Sequence, residues 1–292
     1  MLEYNPASVL ASFAAYYRDQ SAKKGGSSAT ATPSAVPAAA PHPTFVAPGR
    51  YPEYFLESNE DFLSARSART VDYEFESTVW GMGDAMRRRA LAQVDAALEG
   101  KDPEVRSLLD VGCGTGRFLG AVKDNFRRLR VTAMDLSLFS LQRARKHLEG
   151  RPDVTFVESN AEDIPLPNGS QDIITANFLL SRMPADAQAS FMSAINEMAR
   201  CLKRGGRLVI VDAAQPDFDG EDVCTFDGLP HFNKYATYDD YLKSDLEYAL
   251  IKAGLFVQYK EISWVSKMLV AQKPPEVVDM DDGSAPGVGI GY

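Results

Sequence analysis

The chain has 292 residues, 45% hydrophobic and 24% charged, enough apolar material for one substantial core and the profile of a globular protein. Its formal net charge of −9 opposes nucleic acid as the main substrate, since only local clusters such as Phe126–Arg130 would offset repulsion from phosphates. Cys113, Cys201 and Cys224 are odd in number and widely spaced, so neither a disulfide framework nor a C-x-x-C metal site is drawn, and no apolar run reaches the roughly 18 residues that span a bilayer.

A reducing, cytoplasmic setting without a metal is therefore expected. Residues 1–48 read as a disordered leader. Ala7–Arg18 has the spacing of a short amphipathic helix through Val9, Leu10, Phe13, Tyr16 and Tyr17, and Ser21–Pro48 is built from Ala, Ser, Thr, Pro and Gly, which bury too little apolar surface to offset ordering entropy. An acid-poor, Ser/Ala-rich leader also suits a plastid or other organelle transit peptide, although Glu3 and Asp19 count against it. Order is expected from residue 49, first in a stretch dense in aromatics: Tyr51, Tyr54, Phe55, Phe62, Tyr73, Phe75 and Trp80. A helix over Asp84–Leu98 follows, with Met86, Ala90, Leu91, Val94 and Leu98 on one face and Gly100 at its end.

The segment Ser107–Phe118 reads strand, tight turn, helix. Leu108, Leu109 and Val111 form an apolar run that carries Asp110, and Gly112, Gly114 and Gly116 follow before helix-forming residues. Glycine lets backbone approach a ligand where a Cβ would collide, and the helix beyond offers free N–H groups. The spacing is G-x-G-x-G, not the G-x-G-x-x-G of dinucleotide sites: Arg117 stands where the third dinucleotide glycine would be. Asp110 beside the turn would repel a pyrophosphate and suits a cationic ligand. With these features D-V-G-C-G-T-G resembles motif I of the class I S-adenosylmethionine-dependent methyltransferases, whose ligand carries an ammonium and a sulfonium.

Alternating periods continue the α/β pattern. A helix runs to about Phe126, then a strand over Arg130–Asp135, a helix over Leu138–Leu148 and a strand over Val154–Ser159. Asp135, at a strand end about 20 residues past the glycines, is placed to accept from both hydroxyls of a ribose. Asn160-Ala161-Glu162-Asp163-Ile164-Pro165-Leu166 resembles the adenine-contacting G-D-A-E-D-L-P-F segment of ubiquinone/menaquinone-biosynthesis-type methyltransferases, with Asn160 in place of Asp. An amide oxygen still accepts from the adenine amine. Strand four, Asp172–Ala176, ends in Asn177-Phe178-Leu179-Leu180 at the carboxyl edge where open α/β sheets bind ligands. A helix over Asp186–Leu202, the turn Lys203-Arg204-Gly205-Gly206, a strand over Arg207–Asp212, a helix over Tyr238–Ala253 and two strand-like runs, Leu255–Ile262 and Trp264–Ala271, complete the domain. Residues 275–292 read as a disordered acidic tail.

The resemblance covers Tyr51 to about Pro274 and is most detailed with methyltransferase-domain proteins of cyanobacteria and plastid-bearing organisms, through Asp84–Arg88 and Ser266–Leu269. It implies a Rossmann-like, seven-stranded, mostly parallel sheet of order 3-2-1-4-5-7-6 with helices on both faces. It also implies S-adenosyl-L-methionine as cofactor, held by Asp110, Gly112, Cys113, Gly114, Gly116, Asp135, Leu136, Asn160, Ala161 and Asn177, with a small-molecule methyl acceptor. The segment before motif I commonly covers the cofactor in that family. Where close members have a His-Glu pair this chain has Ser181-Arg182, so no base carries over. Asp212, His231 and Tyr235 remain candidate bases, needed only if the acceptor holds a proton at the moment of attack. His42 lies in the leader and His147 at an expected exposed helix end. Two other readings stay open: a silent cofactor-binding module for scaffolding or regulation, and a dinucleotide-dependent oxidoreductase.

Overall fold

The computed structural model describes residues 64–183, 188–220, 223–229 and 238–275. The expected leader helix Ala7–Arg18, the linker Ser21–Pro48, the aromatics Tyr51, Tyr54, Phe55 and Phe62, the residues His42, His231 and Tyr235, and the tail from residue 276 onward lie outside the described residues.

Strands and helices alternate as the changing period predicts. Five parallel strands, β1 (Ser107–Val111), β2 (Arg130–Asp135), β3 (Val154–Glu158), β4 (Gln171–Asn177) and β5 (Leu202–Ala213), are joined by an antiparallel pair, β6 (Phe256–Ser263) and β7 (Ser266–Gln272). The order is β3-β2-β1-β4-β5-β7-β6, the expected α/β sheet with both C-terminal runs paired. Because helices cover both faces, the inner strands are continuous apolar runs: Leu108, Leu109, Val209, Ile210, Leu269 and Val270 are all buried. The edge strand β6 is largely exposed.

Among the described residues, two α-helices precede the sheet. α1 (Ala65–Thr78) was not expected as an element. Ser64 caps it by accepting from the Ser67 N–H at 3.0 Å, and Ala68, Val71 and Phe75 recur at helical spacing on the inward side. α2 (Gly83–Leu98) buries Met86, Ala90, Leu91, Val94 and Leu98 against β4, β5 and β7, as its pattern predicts. α3 (Arg117–Asn125) and α4 (Leu138–His147) follow β1 and β2, and α5 (Gln188–Cys201) precedes β5. None of the helices among the described residues is long and apolar enough to cross a membrane.

The expected helix Tyr238–Ala253 is two helices, α7 (Tyr238–Leu242) and α8 (Leu246–Lys252), after a short turn α6 (Pro216–Asp219). Asp245 breaks it, since its carboxylate accepts from the Tyr248 N–H at 2.9 Å and so caps α8 instead of continuing α7. β5 starts at Leu202 rather than Arg207, because Lys203–Gly206 form a bulge opposite β4: Leu202 pairs with Gln171 and Arg207 already with Ile173.

The amino ends of three neighbouring strands meet on one carboxylate. Asp172 accepts from the Ser107 N–H at 3.0 Å, the Ser107 hydroxyl at 2.9 Å, and Arg106 and Lys203 at 2.7 Å each. Burial raises its pKa, and the donors outweigh burial, so the net shift is downward. Its stabilisation is thus full above the unfolded-state value near 4 and is lost as pH falls through the lower native value. Asp172→Asn is expected to cost about 1–2 kcal/mol in urea unfolding at pH 7, a difference that shrinks below about pH 4.

Candidate functional site

β1 delivers Asp110, 2% exposed, to the carboxyl edge of the sheet, and the chain then turns through Gly112, Gly114 and Gly116 at φ of 70°, 55° and 81°. The three glycines serve different ends. A Cβ at Gly112 would lie 2.8 Å from Leu179 Cδ1, one at Gly116 would lie 3.1 Å from Ala144 Cβ, and one at Gly114 would meet nothing within 4 Å. Gly112 therefore admits the loop after β4, Gly116 admits α4, and Gly114 leaves open space. The turn is held from outside: the Gly114 N–H donates to Asp135 Oδ2 at 2.8 Å, the Cys113 N–H to the Met134 carbonyl at 2.9 Å, and the Thr115 hydroxyl to Asp72 of α1 at 2.8 and 2.9 Å.

Above the turn lies a cavity of about 200 Å³. Asp110, Gly112, Cys113, Gly114, Asp135, Leu136, Asn160, Ala161 and Asn177 all line it. Gly116 is outside the lining, because its positive φ and missing side chain serve the junction of α3 with α4. The wall also contains residues that were not expected to line a site: Val71, Asp72 and Phe75 of α1, and Arg87 of α2 and Arg182 beyond β4, which the resemblance touches without giving them a role. The periodic apolar positions of α1 were the available signal for Val71 and Phe75. The contact of Asp72 with Thr115 has none, because it joins residues 43 apart in sequence.

Burial governs the electrostatics. It pushes the Asp110 carboxyl up to about 7, against the Thr175 hydroxyl bonded to it at 2.6 Å and the neighbouring Asn177 amide, while the Asp135 charge adds to the rise. Asp135 is raised by burial too, opposed by the Ser137 and Gly114 N–H groups and by Arg182. Both polar atoms of the Asn177 side chain are buried without a hydrogen-bond partner; the amide lies close enough to Asp110 to favour its charge but makes no well-formed bond to it. Burial drives the Cys113 thiol well above its usual range, which leaves it unreactive.

The candidate base Asp212 is not in the wall. Fully buried, it accepts from the N–H groups of Leu180 at 2.8 Å, Ser181 at 3.3 Å and Ala213 at 2.8 Å, and so ties the loop after β4 to the end of β5. His147 is half-buried, not exposed, because Gly120 leaves room for its ring.

Residues 109–210 match the family model described as methyltransferase domain. This segment is similar to a methyltransferase domain. The chain is 32% identical over 177 residues to a ubiquinone/menaquinone biosynthesis C-methyltransferase of Rhizobium johnstonii, covering 57% of this chain and 65% of that one. It is 29% identical over 119 residues to a demethylmenaquinone methyltransferase of Bacillus licheniformis, covering 40% and 49%. The chain thus spans less than two thirds of the length of either relative. In fold it is similar to the crystal structure of a possible exported protein from Bordetella parapertussis, with a TM-score of 0.50 at 19% identity over 66% of this chain and 68% of that one.

Replacing Gly114 in this domain by Val puts a branched side chain at positive φ and into the open space of the cavity. Gly114→Val is expected to abolish S-adenosylhomocysteine binding in calorimetry while circular dichroism still shows a cooperative melt; retained affinity would show that the turn is not a binding loop.

Proposed function

We propose that this protein transfers a methyl group from S-adenosylmethionine to a small-molecule acceptor by in-line displacement. The observation that carries the reading is the acid-walled cavity, where Asp72, Asp110 and Asp135 surround a glycine turn with an unpartnered Asn177 amide aimed into it. Asp110 and Asp135 beside the glycine turn disfavour a pyrophosphate at that end of the cavity and suit a cationic group there.

The residues present fit that ligand. Asp110 and the Asn177 oxygen would hold its ammonium, and Asp135 its ribose diol, since each Asp135 oxygen spends only one acceptor site on a backbone N–H. Asn160 and Ala161 would hold the adenine; Asn160 Oδ1 takes the Glu162 N–H at 3.1 Å and keeps its second acceptor site. Gly112, Cys113, Gly114 and Leu136 form the backbone floor. When bound, the donor supplies a methyl group on a cationic sulfur. The protein then aligns acceptor and methyl and keeps water out through the apolar wall of Val71, Phe75, Phe178 and Met183.

The domain is read as wider than the matched segment, because α1 and α2 line the cavity and β6 and β7 complete the sheet. The names of the two relatives support an organic acceptor, and the net charge of −9 supports a small molecule over nucleic acid.

S-adenosylhomocysteine is expected to raise the melting temperature and NADH to leave it unchanged, since only a ligand of the native state stabilises it. Asp135→Ala is expected to weaken S-adenosylhomocysteine about tenfold or more in calorimetry, for the loss of charge-assisted bonds to two hydroxyls. Unchanged affinity removes Asp135 from the site. A cationic ligand favours the ionised form of Asp110, whose pKa in the ligand-free protein is about 7. Donor affinity should therefore rise between about pH 6 and 7.5 with release of a proton, and Asp110→Asn should flatten that rise. Equal slopes in the two proteins would contradict the assignment.

A further inference from the structure

We infer that the methyl acceptor carries a carboxylate on a planar apolar body, gripped by Arg182 and Arg87 beside an aromatic wall. This rests on the methyl-donor reading, because it assigns the half of the cavity which that reading leaves over.

The strand order β3-β2-β1-β4 lays the cavity out as a row of loops. At a spacing of about 4.8 Å between strands, the loop after β4 stands roughly 14 Å from the loop after β3. The proposed donor groups occupy the loops of β3, β2 and β1, where the lining holds Asp110, Asp135 and Arg117 beside serine and asparagine side chains and backbone. Beyond β4 the chemistry changes. The Phe75 and Phe178 rings lie 4.8 Å apart, and the Phe226 ring is 6.2 and 6.0 Å from them. The Arg87 guanidinium lies 4.6 Å from the Phe75 centroid and 5.8 Å from that of Phe178. Arg182 follows Phe178 in the same loop, lines the same cavity and sits near enough to Asp135 to favour its charge.

Arg87 lines the cavity although it is tied to the fold by two ion pairs and by the Phe75 and Phe178 rings. Its acidic partners, Glu76 at 3.2 Å and Asp84 at 3.1 Å, stand outside the cavity lining, and both bond to Nη1 alone. Phe178 is a bulky residue at φ of 52°, pinned by its N–H to the Val211 carbonyl at 2.7 Å. Such a strained residue at a ligand wall is the kind that surrounding structure holds in place for function. Guanidinium forks match carboxylates in geometry, and ring faces match a flat apolar body. Charge points the same way: the donor has one more positive group than negative, and a carboxylate acceptor cancels that excess in a cavity where burial penalises net charge.

The test uses the S-adenosylhomocysteine-loaded chain and two probes of one shape, cinnamate and cinnamamide. Calorimetry is expected to give cinnamate the tighter binding by about tenfold or more, with the ratio falling to about two in Arg182→Gln and staying higher in Arg182→Lys, which keeps the charge. In the unaltered protein, added salt should weaken cinnamate and leave cinnamamide unchanged, a readout that no folding defect can mimic. The proposal is overturned by a ratio near one, by no cinnamate binding at millimolar concentration, by an unaltered ratio in Arg182→Gln, or by equal ratios in the Gln and Lys variants. The loading step separates the two readings: failure to bind S-adenosylhomocysteine removes the donor, whereas loading without a preference for the acid removes only the acceptor class.

Discussion

The hydrogen bond from the Gly114 N–H to Asp135 at 2.8 Å is the contact on which the rest of the site depends. It joins the turn after β1 to the end of β2, so the acid of one strand fixes the backbone of its neighbour. The other Asp135 oxygen accepts from the Ser137 N–H at 2.8 Å, just where α4 begins. One carboxylate therefore sets both the height of the glycine turn and the start of the next helix. Glycine adopts the resulting run of positive φ at every second residue without the steric cost that a Cβ would bring. A turn built this way presents backbone to the cavity and needs a charged group beneath it.

That requirement explains a costly arrangement. Asp110, Asp135 and Asp212 all lie at or next to strand ends and all have raised pKa values, with desolvation as the main cause in each, although Asp135 keeps some exposure to the cavity. They differ in what satisfies them. Asp212 has three backbone donors and braces one loop; Asp135 has two and retains acceptor capacity facing the cavity; Asp110 has the Thr175 hydroxyl and an amide beside it with no bond of its own. The series runs from a structural acid to an acid left short of partners. An under-satisfied carboxylate at the floor of a cavity is destabilising until a cation arrives, so the cost in the empty protein becomes specificity in the filled one.

The sheet was legible because its signals are local. Apolar runs, glycines after the first of them and helical spacing between them predict all seven strands, most of them to within one or two residues and β5 with its start five residues late, and the resemblance supplied their order. Less legible was whatever depends on contacts distant in sequence. The helical spacing of Ala68, Val71 and Phe75, which marks α1, is overlaid in the sequence by a run of aromatics. Asp245 reads as one more polar residue in a helical stretch until its bond to Tyr248 is seen to end one helix and begin another. Asp135 and Asp212 occupy equivalent places at strand ends, and nothing local says that the second faces inward to Leu180 and Ser181.

The loop after β4 shows how these levels combine. Asp212 fixes its backbone from one side, the Val211 carbonyl holds the Phe178 N–H from the other, and Leu179 fills the space that Gly112 leaves free. With its backbone held at these points, the loop can vary its outward side chains without disturbing the turn beneath it. Ser181 turns its N–H to Asp212, which leaves Arg182 as the side chain of that pair facing the cavity. On the proposed reading, such a framework keeps its donor side constant while the loop after β4 alters the charge of the acceptor side. That separation is why the motifs speak for the cofactor, while the identity of the acceptor has to be argued from the few residues on a braced loop.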